Sequence, residues 1–225
     1  MKERIRQLTL LPLLLWLFST QQAAALTFDI RGEYENWHSG LGGTSTAFLG
    51  GISASHGFTP EFSLAGSVVA GNYETNSTAS SDVSRFDVDI TTSYRIYPLT
   101  SVFIGYQLIQ LDVNIKDNIS RSFDDTMHAL GAGITNYIIM NRDWVLYGGF
   151  SLSGVFATST LGNGTKDNGL GFSTGVNGGV LYLVSKELTL AGGIKTRLNS
   201  VDYRGDSGTW SHNMQRLTLS LSRAW

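Results

Sequence analysis

The chain has 225 residues, among them 26 Gly, 3 Pro and no Cys, and carries a formal net charge of −2. Charged residues make up 15%, well below the roughly 25% of an ordinary soluble domain. A hydrophobic share of 42% argues against a helical membrane protein, and the lack of Cys excludes disulfides and thiolate metal sites.

Lys2, Arg4 and Arg6 form a basic start, Leu8 to Phe18 an apolar core, and Ser19 to Ala25 a polar stretch ending on small residues. That order predicts a secretory signal peptide over residues 1–25, cleaved after Ala25. Its apolar run of about eleven residues is too short for the ~20 that cross a bilayer. In the remaining 26–225, a length suited to one domain, 13 basic residues face 17 acidic ones, a net charge of −4. No basic stripe is available to neutralise phosphates, so nucleic acid is not an expected partner.

From Leu26 onward the sequence has no helical period. It alternates apolar and polar residues in runs separated by turn-formers, which predicts strands. In the first, Leu26 to Trp37, one face carries Leu26, Phe28, Ile30, Gly32 and Tyr34, and the other Thr27, Asp29, Arg31, Glu33 and Glu35. Neither a bilayer nor a packed sandwich core would accept the second face, so it is expected to line a polar lumen. Strands near Thr44–Ser55 and Glu61–Asn72 offer Phe48, Ile52 and Ala54, then Phe62, Leu64, Val68 and Ala70, as outward faces. The fourth, Val83–Tyr97, turns Phe86, Val88, Ile90, Tyr94 and Ile96 outward and Arg85, Asp87, Asp89 and Arg95 inward. In the fifth, Val102–Ile115, the alternation slips between Leu108 and Leu111, which predicts a β-bulge and an inward Asp112. Either face of the sixth, Thr126–Ile139, is acceptable as the outer one. The seventh, Trp144–Phe156, reads clearly, with Trp144, Leu146, Phe150, Leu152 and Phe156 outward. Gly169–Leu183 follows, then Leu188–Asn199 with Lys195 and Arg197 inward. The tenth ends the sequence, with Leu217, Leu219, Leu221 and Trp225 on one face and Arg216, Thr218, Ser220 and Ser222 on the other.

The fold class expected is all-β: a closed, antiparallel, up-and-down transmembrane β-barrel of ten strands, or eight if the sixth and its neighbours are read otherwise. Connections alternate short (Gly57–Pro60, Pro98–Thr100, Met140–Asp143, Ser185–Glu187) and long (His38–Gly43, Tyr73–Asp82, Lys116–Asp125, Ala157–Asn168, Ser200–His212). Tight periplasmic turns opposite longer extracellular loops are the usual asymmetry. Aromatics at strand ends predict two interfacial girdles, Phe28, Phe62, Tyr94, Trp144, Tyr182 and Trp225 below and Tyr34, Phe86 and Phe156 above. The final strand, with Leu217, Leu219, Leu221 and Trp225, resembles the C-terminal assembly signal of outer-membrane β-barrels. As a class, residues 26–225 resemble the small barrels of the OmpA, OmpX and opacity-protein type. That resemblance implies a monomer in the cell outer membrane, contact with outer-membrane lipid and lipopolysaccharide, and insertion by the barrel-assembly machinery.

The inward charges gather in sets. Asp29, Arg31, Glu33 and Glu35 on the first strand should meet Lys195, Arg197 and Arg216 of the last two across the closure seam, with Arg85, Asp87, Asp89, Arg95 and Asp112 nearby. Two readings stand: an ion-pair network that fills the lumen and fixes register, or a charged pathway for small polar solutes. Small inward residues such as Gly51, Ser53, Ala65, Ser67, Gly149, Ser151, Gly175 and Gly179 leave room for water, or equally serve tight curvature.

No catalytic residue, metal site or cofactor is predicted. Omptin-type proteases carry acidic residues and a His–Asp pair at the outer rim, a position that would here gather His38, Asp124, Asp125, His128, Asp202, Asp206 and His212. No motif of that family surrounds them. Lipid A deacylases use a His–x–Ser motif that the chain lacks, and no ligand spacing suits a metal. The roles left are a structural or surface-interaction barrel whose loops meet an extracellular ligand, and a narrow, porin-like channel.

Overall fold

A strand that alternates over fourteen or more residues must satisfy hydrogen-bonding edges on both sides, and ring closure is the solution that leaves no edge. The computed structural model describes residues 26–39, 43–75, 81–115, 122–204 and 209–225. The expected signal peptide lies outside them. Ten strands form one closed antiparallel barrel: β1 (Leu26–Ser39), β2 (Gly43–Gly57), β3 (Phe62–Thr75), β4 (Ser81–Tyr97), β5 (Thr100–Ile115), β6 (Phe123–Ile139), β7 (Trp144–Leu161), β8 (Lys166–Leu183), β9 (Leu188–Tyr203) and β10 (Thr209–Ala224). Each pairs with its sequence neighbours, and β10 returns to β1 from Thr27↔Ala224 to Ser39↔His212. The Trp225 amide donates to the Leu26 carbonyl at 2.9 Å, so the two ends of the described chain meet.

Three of the turns at the end where β1 begins and β10 finishes share one device. In Phe58-Thr59-Pro60-Glu61, Met140-Asn141-Arg142-Asp143 and Val184-Ser185-Lys186-Glu187, the second residue's side-chain oxygen accepts from the amides two and three positions on. The first residue's amide donates back across the turn at 2.9 Å each time. A short polar side chain that mimics a backbone acceptor is what Ser, Thr and Asn supply to tight turns. We call this end of the barrel the turn end and the opposite one the loop end.

The loop end differs from expectation. The connections expected to be long are the intervals 40–42, 76–80, 116–122, 162–165 and 204–208, because the strands continue through most of the residues assigned to loops. Ala157–Asn168 is a tight hairpin in which Gly164, at φ 84°, takes the left-handed turn conformation. Strands of 14 to 18 residues exceed the 9–11 or so that a tilted strand needs to cross a bilayer. The wall therefore stands above its own apolar band. Outward residues change with height: Ile52, Leu130, Phe150, Ile194 and Leu219 are exposed in the band, and Asn36, Asn72, Ser84, Gln110, Asn168, Asp202 and Gln215 are exposed above it. Aromatics mark both margins, with Phe28, Tyr94, Trp144 and Trp225 exposed toward the turn end and Tyr34, Phe48, Phe86 and Phe156 toward the loop end.

The interior reverses in step. Leu49, Val69, Tyr73, Val83, Ile109, Leu111, Val113, Met127, Val155, Val201, Tyr203 and Met214 are all buried inside the loop half. Above the band the barrel is thus built like a soluble one, apolar within and polar without. This explains the fifth strand. No bulge lies between Leu108 and Leu111, where the register with β4 and β6 runs unbroken; the register shift of the β4–β5 pair falls at Arg95/Tyr97 instead. What looks like a slip is an inversion of polarity at constant register. Asp112 accordingly points outward and is exposed, opposite exposed Asp124, and is not a lumen residue. The same rule settles β6, whose outer face carries Leu130, Ala132, Ile134 and Ile138.

Candidate functional site in the barrel lumen

Period two sends Glu33 and Glu35 of β1, Arg85 and Asp87 of β4 and Arg216 of β10 into the same level of the lumen. Two strands separate β4 from β1, so contact requires side chains long enough to cross the bore. Arg85 does so. Its guanidinium grips Asp87 through two bonds of 2.7 and 2.8 Å and reaches Glu35 at 2.5 Å. Arg216 donates to Glu33 at 3.0 Å, to Asp87 at 2.7 Å and to Glu35 through Nε. The Tyr73 hydroxyl donates to Glu35 at 2.5 Å and accepts from Arg85 at 2.8 Å. Glu33, Glu35, Arg85, Asp87 and Arg216 are each at most 6% exposed. Buried charges are tolerated only when partners and hydrogen bonds are near complete, and here each guanidinium holds at least two carboxylates. The network bars the bore at mid-height, and the apolar core fills it above.

Nearer the turn end, Arg31 lies 3.5 Å from Asp29 and 3.7 Å from Glu33, and the Ser222 hydroxyl donates to Asp29 at 3.1 Å. Below the network the wall carries small side chains and the lumen opens into a cavity of about 410 Å³. Ser53, Ser67, Thr91, Ser151 and Ser153 line it, together with Asp89, Gln107, Lys195 and Arg197. A second space of about 360 Å³ shares Ser93 and Ser101 with it and leads to the mouth, where Arg95 is exposed. Two inner-wall glycines make room for aromatic rings: a Cβ on Gly133 would strike Phe103, and one on Gly193 would strike the Tyr147 hydroxyl.

The inward charges are therefore divided. Asp29, Arg31, Glu33, Glu35, Arg85, Asp87 and Arg216 interact with one another. Asp89, Lys195 and Arg197 face the cavity, Arg95 stands at the mouth, and Asp112 is outside. Of the three bases expected at the closure seam, Arg216 meets the acids of β1, whereas Lys195 and Arg197 sit one strand farther round. Sequence reasoning missed Tyr73 and Met214, whose sulfur receives a 3.1 Å contact from Arg85. It missed Tyr203 as well, and set at the outer rim Asp125, which is buried and accepts from Tyr203 at 2.7 Å. All four have the inward parity of their strands, which is the signal that would have found them.

Among the described residues the protease-like rim is not brought together. Asp125 points into the core, whereas Asp124, His128 and Asp202 are exposed on the outer wall. His128 is instead 2.7 Å from the Tyr106 hydroxyl. Asp206 and the side chains of His38 and His212 lie outside the described residues. Among the described residues no group of three or more His, Cys, Asp or Glu is placed to hold a metal ion.

No protein-family model matches the chain, and no curated protein is similar to it. Solved structures are. The chain is 15% identical to Neisserial surface protein A, with a TM-score of 0.50 over 90% of this chain and 99% of that one. It is 10% identical to the outer membrane protease OmpT from Escherichia coli, with a TM-score of 0.57 over 92% and 99%. It is 9% identical to the translocator domain of the autotransporter NalP from Neisseria meningitidis, with a TM-score of 0.54 over 99% and 95%. At such identities the likeness is one of fold, and the fold is that of outer-membrane β-barrels.

Proposed function

We propose that the protein is a monomeric, non-conducting barrel of the cell outer membrane whose loop-end head projects from the bilayer as a structural or surface-interaction module. The observation that carries this reading is the filling of the loop half. Among the described residues a layer of buried ion pairs is capped there by a layer of buried Val, Leu, Ile, Met and Tyr. Conduction would require the pairs to part and the apolar layer to hydrate, and each step costs several kcal/mol. The polar outer wall above the band faces the lipopolysaccharide headgroups and the exterior, and the short connections at its top meet any extracellular ligand. Leu217, Leu219 and Leu221 on the outer face of β10, with Trp225 exposed just beyond it, serve as the signal read by the barrel-assembly machinery. In this orientation the turn end is periplasmic.

Planar-bilayer recording of the purified, refolded protein tests the reading. The expected result is a silent membrane at moderate voltage. Steady single-channel currents would overturn it in favour of a narrow pore for small polar solutes. The second reading keeps one supporting observation, the water-sized spaces that run from the turn-end mouth up to the network.

A further inference from the structure

We infer that the turn-half cavity is a binding site for a small anion bearing a carboxylate or phosphate group, held between Lys195 and Arg197 of β9. This goes beyond the closed-barrel reading and does not depend on it. Around the network and the cavity, Arg31, Arg85, Lys195, Arg197 and Arg216 face Asp29, Glu33, Glu35, Asp87 and Asp89, yet these five bases and five acids are not distributed as pairs. Glu33, Glu35 and Asp87 are occupied by Arg85 and Arg216, and Asp29 by Arg31 and Ser222. Lys195 and Arg197 are two residues apart on the same inward face, about 7 Å along the strand. Among the described residues no carboxylate lies within ion-pair distance of either. The Arg197 Nε is buried with no hydrogen-bond partner. Asp89 shares the cavity but bonds to neither cation.

A second, independent feature points into the same space. Gln107, only 4% exposed, has neither its amide oxygen nor its amide nitrogen paired, although an unsatisfied buried amide is costly and rare. It lines the cavity together with both cations and Asp89. Two like charges, an orphaned amide and a ring of serine hydroxyls, in a space of about 410 Å³, match the few convergent polar groups of a small-molecule site. The anion's oxygens take Lys195, Arg197 and the Gln107 amide nitrogen. Asp89 and the Gln107 oxygen remain to accept from a hydroxyl or amine on the same ligand. Entry is from the turn end, past Arg95 at the mouth, through the space around Ser93 and Ser101 that joins the two voids. The network of Arg85, Arg216 and their carboxylates closes the inner end, so this is a blind site.

The test is calorimetric titration of the refolded full barrel in detergent with two probes, malate and inorganic phosphate, at constant ionic strength set with choline chloride. Malate is expected to bind saturably in the millimolar range or tighter. Lys195→Met and Arg197→Gln should each weaken it about tenfold or more, the scale of one lost charged hydrogen bond. Asp89→Asn should tighten phosphate, which has no use for an acceptor there, while the exposed Arg223→Gln leaves both probes unchanged. Because neither cation is paired, all variants should retain the heat-modifiable gel shift of the folded barrel. Absence of saturable binding by either probe overturns the inference. So does equal binding by wild type and the two cation variants, or weaker phosphate binding in Asp89→Asn.

Discussion

In the loop half of the lumen β3, β5, β6 and β9 turn Val69, Leu111, Met127 and Val201 inward, and each is at most 3% exposed. A few residues along the same strands, in the turn half, they turn Ser67, Gly105, Gly131 and Lys195 inward, and the lumen becomes a cavity. Between these two levels the wall is continuous and its register unbroken, so the difference comes from side chains alone. The up-and-down barrel is thus two parts stacked on one axis: a cylinder with an apolar outer band around a polar cavity, and a head with a polar outer wall around an apolar core. The buried charges sit at the join. Arg85 and Arg216 satisfy carboxylates from both sides of the bore, so the head is tied to the cylinder by polar contacts that reach across rather than around it.

The sharpest way to break that contrast is at the join. Glu35→Ala removes a carboxylate shared by Arg85, Arg216 and Tyr73. It leaves two buried guanidinium groups short of a partner, which is expected to cost ~3–5 kcal/mol. Urea unfolding in lipid vesicles measures it, and a loss below about 1 kcal/mol would mean that water solvates this level of the lumen. Next come the two fillings compared directly. Met127→Ala in the head should cost ~2–5 kcal/mol, whereas Ser151→Ala in the cavity wall should stay within about 0.5 kcal/mol. Equal effects would erase the distinction between core and cavity.

How much of this was legible in the sequence follows from what the period-two rule can and cannot see. Parity alone assigns Phe48, Ile52, Phe150, Leu219 and the other band residues to the outer wall, because alternation survives every change of surroundings, and it narrows the strand count to ten or eight. The side on which apolar residues belong is not a property of the alternation. In β5 the rule that apolar means outward holds at Ile104 and fails at Leu111, since the apolar outer band has ended in between. The same inversion made Asp124 and Asn168 read as loop, although both lie in strands. Partners across the bore are the other blind spot. Neighbouring strands bring Arg216 to Glu35, which the closure seam predicts, but Arg85 reaches Glu35 over β2 and β3, and that depends on the bore's width. Three of the tight turns were written plainly, by a Ser, Thr or Asn followed two residues later by an acid.

A smaller effect sharpens the contrast within the turn half itself. Gly193→Val should cost ~1–3 kcal/mol, the usual range for overpacking, because the new side chain meets the Tyr147 hydroxyl lying across the inner wall. In a Tyr147→Ala background most of that cost should vanish, a coupling that a double-mutant cycle of unfolding free energies reads directly. Additivity would mean that the glycine serves wall curvature rather than the ring.

The smallest expected change lies at the turns, which belong to neither filling. Ser185→Ala deletes an oxygen that accepts from the Glu187 and Leu188 amides at 3.2 and 3.1 Å. Because the turn is exposed, water replaces the acceptor and the loss should be about 0.5–1 kcal/mol. Thr59→Ala and Asn141→Ala should fall in the same range, since all three side chains do the same work. Hydrogen exchange separates this local effect from a global one. The Glu187 and Leu188 amides should exchange faster while those of β6 in the head keep their protection, because opening at a turn need not pass through the core that holds the loop half together.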